Sequence, residues 1–228
     1  MIALIDGDII AYRCAASCKE DDPSEIAILR ADKLMRQILE ETQSDSCKTF
    51  LSGSSNFRYD IYPEYKANRK DAPRPPHLQP TREFLVTEWN AEVCDGIEAD
   101  DALGINQTEE SVVCSIDKDL LQVPGRHYNF VRSEESFVTN VGGLRTLYKQ
   151  IILGDKTDNV PGFDGKFRQK APKFVAEWFT FIDDLETEVE MYDFVCGLYK
   201  DKSVVNRNAT LLYVLREEGK QWEPPIIK

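Results

Sequence analysis

The apolar run Ile2-Ala3-Leu4-Ile5 stops abruptly at Asp6-Gly7-Asp8, and the hydrophobic period then changes. Between Ser24 and Thr42 the apolar residues Ile28, Ala31, Leu34, Met35, Ile38 and Leu39 fall at helical spacing. A short strand without polar alternation is the buried kind found in parallel sheets, whose crossovers are helices. The pattern recurs along the chain. Lys48–Leu51 reads as a second strand, and Pro73, Pro75, Pro76 and Pro80 mark an irregular stretch before a helix through Phe84, Leu85 and Trp89. A further helix starts near Glu98, a third strand covers Ser111–Ile116, and a short helix passes through Leu120-Leu121. Strand-like segments follow at Tyr128–Val131 and Ser136–Thr139. Leu144–Leu153 reads as helix, as do about Lys170–Trp178, Ile182–Tyr199 and Val204–Arg216. Alternation of this kind predicts an α/β fold with a mainly parallel central sheet flanked by helices, followed by an all-helical C-terminal part.

The length of 228 residues suits one sizeable core with a small appendage. No apolar run approaches the ~20 residues of a membrane span. The N-terminus shows no basic leader and no small-residue cleavage site, so the expected location is the cytoplasm. Six cysteines (Cys14, Cys18, Cys47, Cys94, Cys114, Cys196) form no C-x-x-C pair, and the histidines are only His77 and His127. A zinc site is therefore not expected, and the thiols should be reduced and mostly buried. The net charge of −12 argues against a nucleic-acid partner in sum but not in distribution. Lys66, Arg69, Lys70, Arg74 and Arg82 form one basic island, broken only by Asp71, and Lys166, Arg168, Lys170 and Lys173 form another. Such islands read either as solvated surface or as phosphate contacts.

The acids fall at the ends of predicted elements. Asp6 and Asp8 follow the first strand, Asp117 and Asp119 follow "SVVCSI", and Asp155 and Asp158 follow an apolar helix in "ILGDKTDNVPG". Glu98, Asp100 and Asp101 open another helix in "DGIEADDAL". Each group alone has a bland reading as a turn or helix cap; Asp95 and Glu98, for example, fit a capping box. Asp100 and Asp101 exceed what a cap needs, because Glu98 and Asp101 lie three apart on one face and repel unless a cation intervenes. Carboxylates at the carboxyl ends of parallel strands point into the ligand crevice. Four such groups together read as a carboxylate cluster for two divalent ions, the arrangement used in phosphoester cleavage. Oxygen-only ligands suit Mg²⁺ or Mn²⁺.

"LIDGD", "YPEYKANRK", "GIEADDALG", "SIDKDLLQV" and "GDKTDNVPG", in this order, resemble the structure-specific 5′ nuclease family of bacteriophage 5′→3′ exonucleases, flap endonucleases and the 5′ nuclease domain of bacterial DNA polymerase I. The resemblance runs from about Met1 to Trp178. It implies a PIN-like nuclease core over 1–153, with an arch or clamp segment around 63–90, and a helical region over 154–228 with a helix-turn-helix-like DNA-binding element. It further implies a metal-dependent 5′→3′ exonuclease or flap endonuclease, using two-ion chemistry of the Mg²⁺ or Mn²⁺ type, that acts as a monomer on 5′ ends, flaps or nicks of DNA, or on RNA-primed DNA, beside replication proteins. Asp6, Glu98, Asp100, Asp101, Asp117, Asp119, Asp155 and Asp158 match the family's metal-binding carboxylates, with Asp8 as an addition. Lys66 and Arg69 match the basic pair at the foot of the arch, with Tyr65 as an aromatic beside a nucleobase and Lys70 as a further substrate contact. In "GFDGKFRQKAPK", Lys166, Arg168, Lys170 and Lys173 are the candidate duplex contacts.

The sequence departs from the family pattern at two places. The aspartate usual in the loop after the second strand falls on Gly53, or on Ser52 with a shift of one, and the second hairpin glycine appears as Phe167. Asp8, or a water, could compensate for the first. A haloacid dehalogenase-type phosphatase also places Asp-x-Asp after its first strand, but would leave "EADD", "DKD" and "YKANR" without a role. A branched-DNA-binding member that does not cut is the other alternative.

Overall fold

The computed structural model describes residues 1–70, 72–168 and 172–226. Strand β1 (Ile2–Asp6) runs directly into α1 (Gly7–Ala16), followed by α2 (Ser24–Glu41), β2 (Ser46–Ser52), the single-turn α3 (Arg58–Ile61), α4 (Leu78–Trp89) and β3 (Glu92–Cys94). Then come α5 (Ala99–Asn106), β4 (Ser111–Cys114), β5 (Gly125–Asn129), β6 (Glu134–Val138) and α6 (Asn140–Leu153). A small hairpin of β7 (Gly154–Asp155) and β8 (Val160–Pro161) leads to α7 (Lys173–Asp184), α8 (Glu188–Leu198) and α9 (Lys202–Leu212).

The main sheet has the order β3-β2-β1-β4-β5-β6. All pairings are parallel except β6 on β5. The mainly parallel α/β fold flanked by helices is therefore what the chain forms. Because β2 and β4 flank β1 on opposite sides, the connections reverse direction there, and a crevice opens beyond the carboxyl ends of β1 and β4.

Both sheet faces are covered, which explains the continuous apolar strands. On one face Ala3, Ile5, Leu51, Val112 and Cys114 pack against α1, α2 and α4 through Ile10, Ala31, Met35 and Leu85. On the other, Leu4, Phe50 and Val113 meet Ala102 and Leu103 of α5, together with Leu120 and Val214. A separate core joins α6 to α9 and includes Tyr65, Leu147, Tyr148, Met191 and Trp222. Helix α6 thus packs with the helical C-terminal part.

Several elements differ from the sequence expectation, for identifiable reasons. Helix α1 was not expected, because its exposed Tyr12 and Arg13 weaken any amphipathic stripe, and β3 is a three-residue edge strand. The helix expected over Ile182–Tyr199 is broken at 185–187, where Thr187 and Glu190 form a capping box for α8. The helix expected to Arg216 ends at Leu212. Within the segment 63–90, α4 belongs to the sheet's helical layer with Thr81 and Leu85 fully buried, and among the described residues the remainder holds one 3-10 turn at Ala67–Arg69. No described helix is long and apolar enough to cross a membrane. All six cysteines are free, three of them buried.

After α9 the chain turns back into the sheet domain, held by one buried ion pair. Arg58 donates to both oxygens of Asp101, at 2.6 and 2.8 Å, and both side chains are almost wholly enclosed. Its remaining donors go to the carbonyls of Leu211 and Tyr213, and Asp101 also accepts from Leu215 N. Replacing Arg58 by Met should cost about 3–5 kcal/mol, because Asp101 is left buried without its counter-charge. A lowered urea midpoint reads this out, and the pair Arg58→Met with Asp101→Leu should recover part of the loss.

Candidate active site

The crevice beyond β1 and β4 collects acids from four connections. Asp6 ends β1 and caps α1, accepting from Ile9 N at 3.0 Å and from Ser115 Oγ at 2.7 Å. Helix α1 can begin this close to β2 only because residue 7 is glycine: a Cβ there would lie 2.6 Å from Phe50 O. Ser115 Oγ in turn accepts from Asp117 N, and Asp117 Oδ1 accepts from Asp119 N at 2.9 Å. The "SIDKD" segment is thereby folded into a turn that presents both of its carboxylates. Asp155 shapes the next loop by accepting from Thr157 N and Asp158 N at 2.6 and 3.0 Å.

Electrostatics shows how closely these groups crowd. Burial pushes the Asp6 carboxyl up to about 7, with Asp8 and Asp117 adding to the rise against the donors Ser115 and Ile9. Burial also raises Asp100 well above the ordinary carboxylate range, reinforced by Asp6, Asp117 and Glu98. Asp119 is pushed up to about 8 by burial and by the neighbouring acids Asp117, Asp155 and Asp158. Like charges held together out of water favour the protonated form unless a cation replaces the proton. The structure therefore brings Asp6, Glu98, Asp100, Asp117, Asp119, Asp155 and Asp158 within mutual electrostatic reach, with Asp8 at one flank.

Cations hold the other side. Lys66 pairs closely with Glu98 and lies 3.7 Å from Asp158, while Arg69 meets Asp158 at 2.7 Å. Burial would raise Glu98, but Lys66 and Arg58 overrule it and hold its carboxyl below the usual range. Asp158 stays raised, because burial and Glu98 outweigh Lys66 and Arg69. Residues 64–69 lie directly on the 156–159 loop: Lys66 N donates to Asp158 O, Asn68 to Lys156 O, Arg69 to Thr157 O and Asn159 to Glu64 O. Lys66 sits at φ +53°, a left-handed conformation uncommon outside glycine and found where surrounding contacts enforce it.

Four sequence expectations are corrected here. Asp101 is not available as a metal ligand: it is fully buried, and both oxygens are taken by Arg58, Leu215 N and Glu98 N. The cap of α5 is Glu98, with Asp101 at its third position, rather than Asp95, which pairs with Ser55. Tyr65 does not stand beside a nucleobase, because it is 2% exposed and its hydroxyl bridges Glu98 and Asp158 at 2.8 and 2.7 Å. Arg168 is folded inward, donating to Phe163 O over the Phe163 ring, and so is not presented to a phosphate.

Lys70, Lys166 and Lys173 are exposed, as is Phe167, while Lys170 lies outside the described residues. Ser115, Arg58 and Gln150, which donates to Asp119, were missed as site residues. Only Arg58 carried a signal, as the single basic residue between Gly53 and Glu64.

Among the described residues, no three Asp, Glu, His or Cys side chains already converge at ligating distance. The donor set nevertheless fits hard divalent ions: all oxygen, enclosed at Asp6 and partly buried at the others, and with its charge unbalanced at Asp6, Asp100 and Asp119.

The family model of the 5′-3′ exonuclease N-terminal resolvase-like domain matches residues 1–148. A 5′-3′ exonuclease of Buchnera aphidicola subsp. Schizaphis graminum is 27% identical over 214 residues, covering 83% of this chain and 74% of that protein. The thermostable DNA polymerase I of Thermus aquaticus is 27% identical over 199 residues; the match covers 78% of this chain but 24% of the polymerase. In structure the chain is similar to bacteriophage T5 5′-exonuclease with bound zinc, with TM-score 0.71, 17% identity, and 92% and 88% of the two chains covered. It is also similar to T5 D15 flap endonuclease in a complex with DNA and metal ions, with TM-score 0.68, 15% identity and the same coverage.

The raised acids predict a pH-dependent stability without metal. The folded state holds the Asp119 proton up to about 8, whereas an unfolded aspartate loses it near 3.9. The folded state thus binds more protons, and this stability is lost as pH rises between about 4 and about 8. In EDTA, the melting temperature of Asp119→Asn should gain on the parent between about pH 5 and about pH 8. Saturating Mg²⁺ should raise the parent more than the variant.

Proposed function

Since the chain belongs to the 5′-3′ exonuclease family through its resolvase-like domain, we propose that it hydrolyses phosphodiester bonds at 5′ ends of DNA, as a 5′→3′ exonuclease and flap endonuclease. The observation that carries this reading is the continuous set of acids, Asp6, Asp100, Asp117, Asp119, Asp155 and Asp158, gathered at the point where the sheet reverses direction. Mg²⁺ or Mn²⁺ is the proposed cofactor, with Asp6, Asp100 and Asp117 nearest one position and Asp119, Asp155 and Asp158 nearest a second. Bound there, the ions would supply Lewis-acid polarisation of the scissile phosphate and an acidified attacking water.

The chain's own residues do the rest. Tyr65 orients Glu98 and Asp158 from below as a positioning residue, since burial and those two acids keep its hydroxyl protonated. Lys66 and Arg69 carry the positive charge at the rim, where negative charge grows on the phosphate oxygens as the bond breaks. Exposed Lys70, Lys166 and Lys173 are proposed to hold the duplex by its phosphates, with Lys170 in the same island. A monomer in the cytoplasm, acting on flaps, nicks or RNA-primed ends beside replication proteins, fits this set.

End-labelled flap, nicked and single-stranded substrates in Mg²⁺ test the reading, with product length separating the two modes. Asp119→Asn and Asp100→Asn should abolish cleavage and keep the folded circular dichroism spectrum. Lys66→Ala should lower turnover by about 100-fold. Flap binding without cleavage by the parent protein, in either ion, would instead identify a DNA-binding member that does not cut.

A further inference from the structure

The end of β2 is where this chain lacks the expected carboxylate, and the structure shows why none can be placed there. Gly53 N donates to Cys94 O at 2.8 Å, and a Cβ on residue 53 would sit 2.2 Å from that same oxygen. Any side chain at 53 would force β2 and β3 apart. Ser52 cannot be exchanged freely either, because its Oγ accepts from Ala99 N at 3.0 Å and so completes the N-terminus of α5, which carries Asp100.

Another carboxylate reaches the same spot from α1. Asp8 accepts from Ser52 N at 2.8 Å, which places it at the tip of β2, in the first turn of the helix that Asp6 caps and two residues beyond Phe50, the β2 partner of Asp6. Its other oxygen is paired with Arg82 of α4, which also donates to Ser52 O at 2.6 Å. Both side chains are partly buried, Asp8 at 31% and Arg82 at 23% exposure. Arg82 is thus anchored to the backbone through one nitrogen and to Asp8 through another, so loss of the Asp8 contact would still leave it a partner.

We propose that Asp8 supplies the metal-facing carboxylate that this chain cannot carry at residue 53, and that Arg82 is the internal cation which neutralises Asp8 until an ion displaces it. The inference rests on the divalent-metal reading of the site given above. It makes two demands of opposite sign. Removing the Asp8 charge weakens ion binding, whereas removing Arg82 strengthens it. A pair that merely fastens α4 to β2 would affect melting temperature and leave ion affinity alone.

Binding of Mn²⁺ to the DNA-free protein, read by electron paramagnetic resonance of the free ion, tests this directly. Asp8→Asn should weaken uptake by about 10-fold or more, and Arg82→Gln should tighten it by a similar factor. Luminescence lifetimes of bound Tb³⁺ in H₂O and D₂O then count coordinated waters. One additional water in Asp8→Asn marks a lost ligand, and an unchanged count overturns direct ligation. If both variants match the parent while Asp119→Asn loses affinity, the role of Asp8 and Arg82 is overturned and the metal reading stands. If the parent takes up no Mn²⁺, both fall. Should Asp8→Asn not fold, Arg82→Gln carries the test by itself, and weakened uptake in that variant counts against the proposal.

Discussion

The ion pair between Arg58 and Asp101 is the contact on which the other parts depend. It is enclosed by protein, and every polar atom on it is used: Arg58 on the carbonyls of Leu211 in the last turn of α9 and of Tyr213 just beyond it, Asp101 on Leu215 N and Glu98 N. A buried charge pair is tolerable only when its hydrogen bonds are completed in this way. Three separate pieces of chain are registered by it. Helix α5 brings Glu98 and Asp100 to the crevice, the turn at Arg58 leads to Tyr65 and Lys66, and the strap after α9 ties the helical part to the sheet. Asp101, expected from the sequence as a ligand beside Asp100, is thus spent on holding other candidates in place.

Around that anchor the site is a balance of charge. Asp6, Asp100 and Asp119 are pressed into a space where they prefer to hold protons, while Glu98 and Asp158 are met by Lys66, Arg69 and the Tyr65 hydroxyl. One hydroxyl hydrogen cannot serve two carboxylates at once, so Tyr65 leaves one of them short of a donor. The crevice is consequently asymmetric, with its cations on the side of the 64–69 segment and its unbalanced acids below β1 and β4. That asymmetry is what a phosphodiester needs, since anionic oxygens must meet cations on one side and metal-binding acids on the other.

The 64–69 segment also limits what can enter. It lies on the 156–159 loop through backbone and side-chain hydrogen bonds and is rooted in the helical core by Tyr65. With α4 drawn into the sheet layer, the segment is a short clamp that carries one 3-10 turn among the described residues. Its basic residues are held close to the acids rather than on a projecting helix.

The sequence by itself determined the α/β class, the places where acids follow strands, and the family, because buried strands and element ends leave local signatures: apolar runs, Gly7 between two aspartates, and acids at turns. Most of the acid cluster was legible for the same reason. Tertiary structure alone decided which acids face the crevice. In sequence Asp100 and Asp101 are equivalent neighbours, yet a helix turns successive side chains by about 100°, so one points to the site and the other to Arg58, a residue 43 positions away. Tyr65 and Arg168 were misread likewise, since burial depends on what packs above a residue and not on its type. The strap beyond Leu212 had helical periodicity, but long-range hydrogen bonds to Arg58, Asp101 and Gln122 outweighed local propensity.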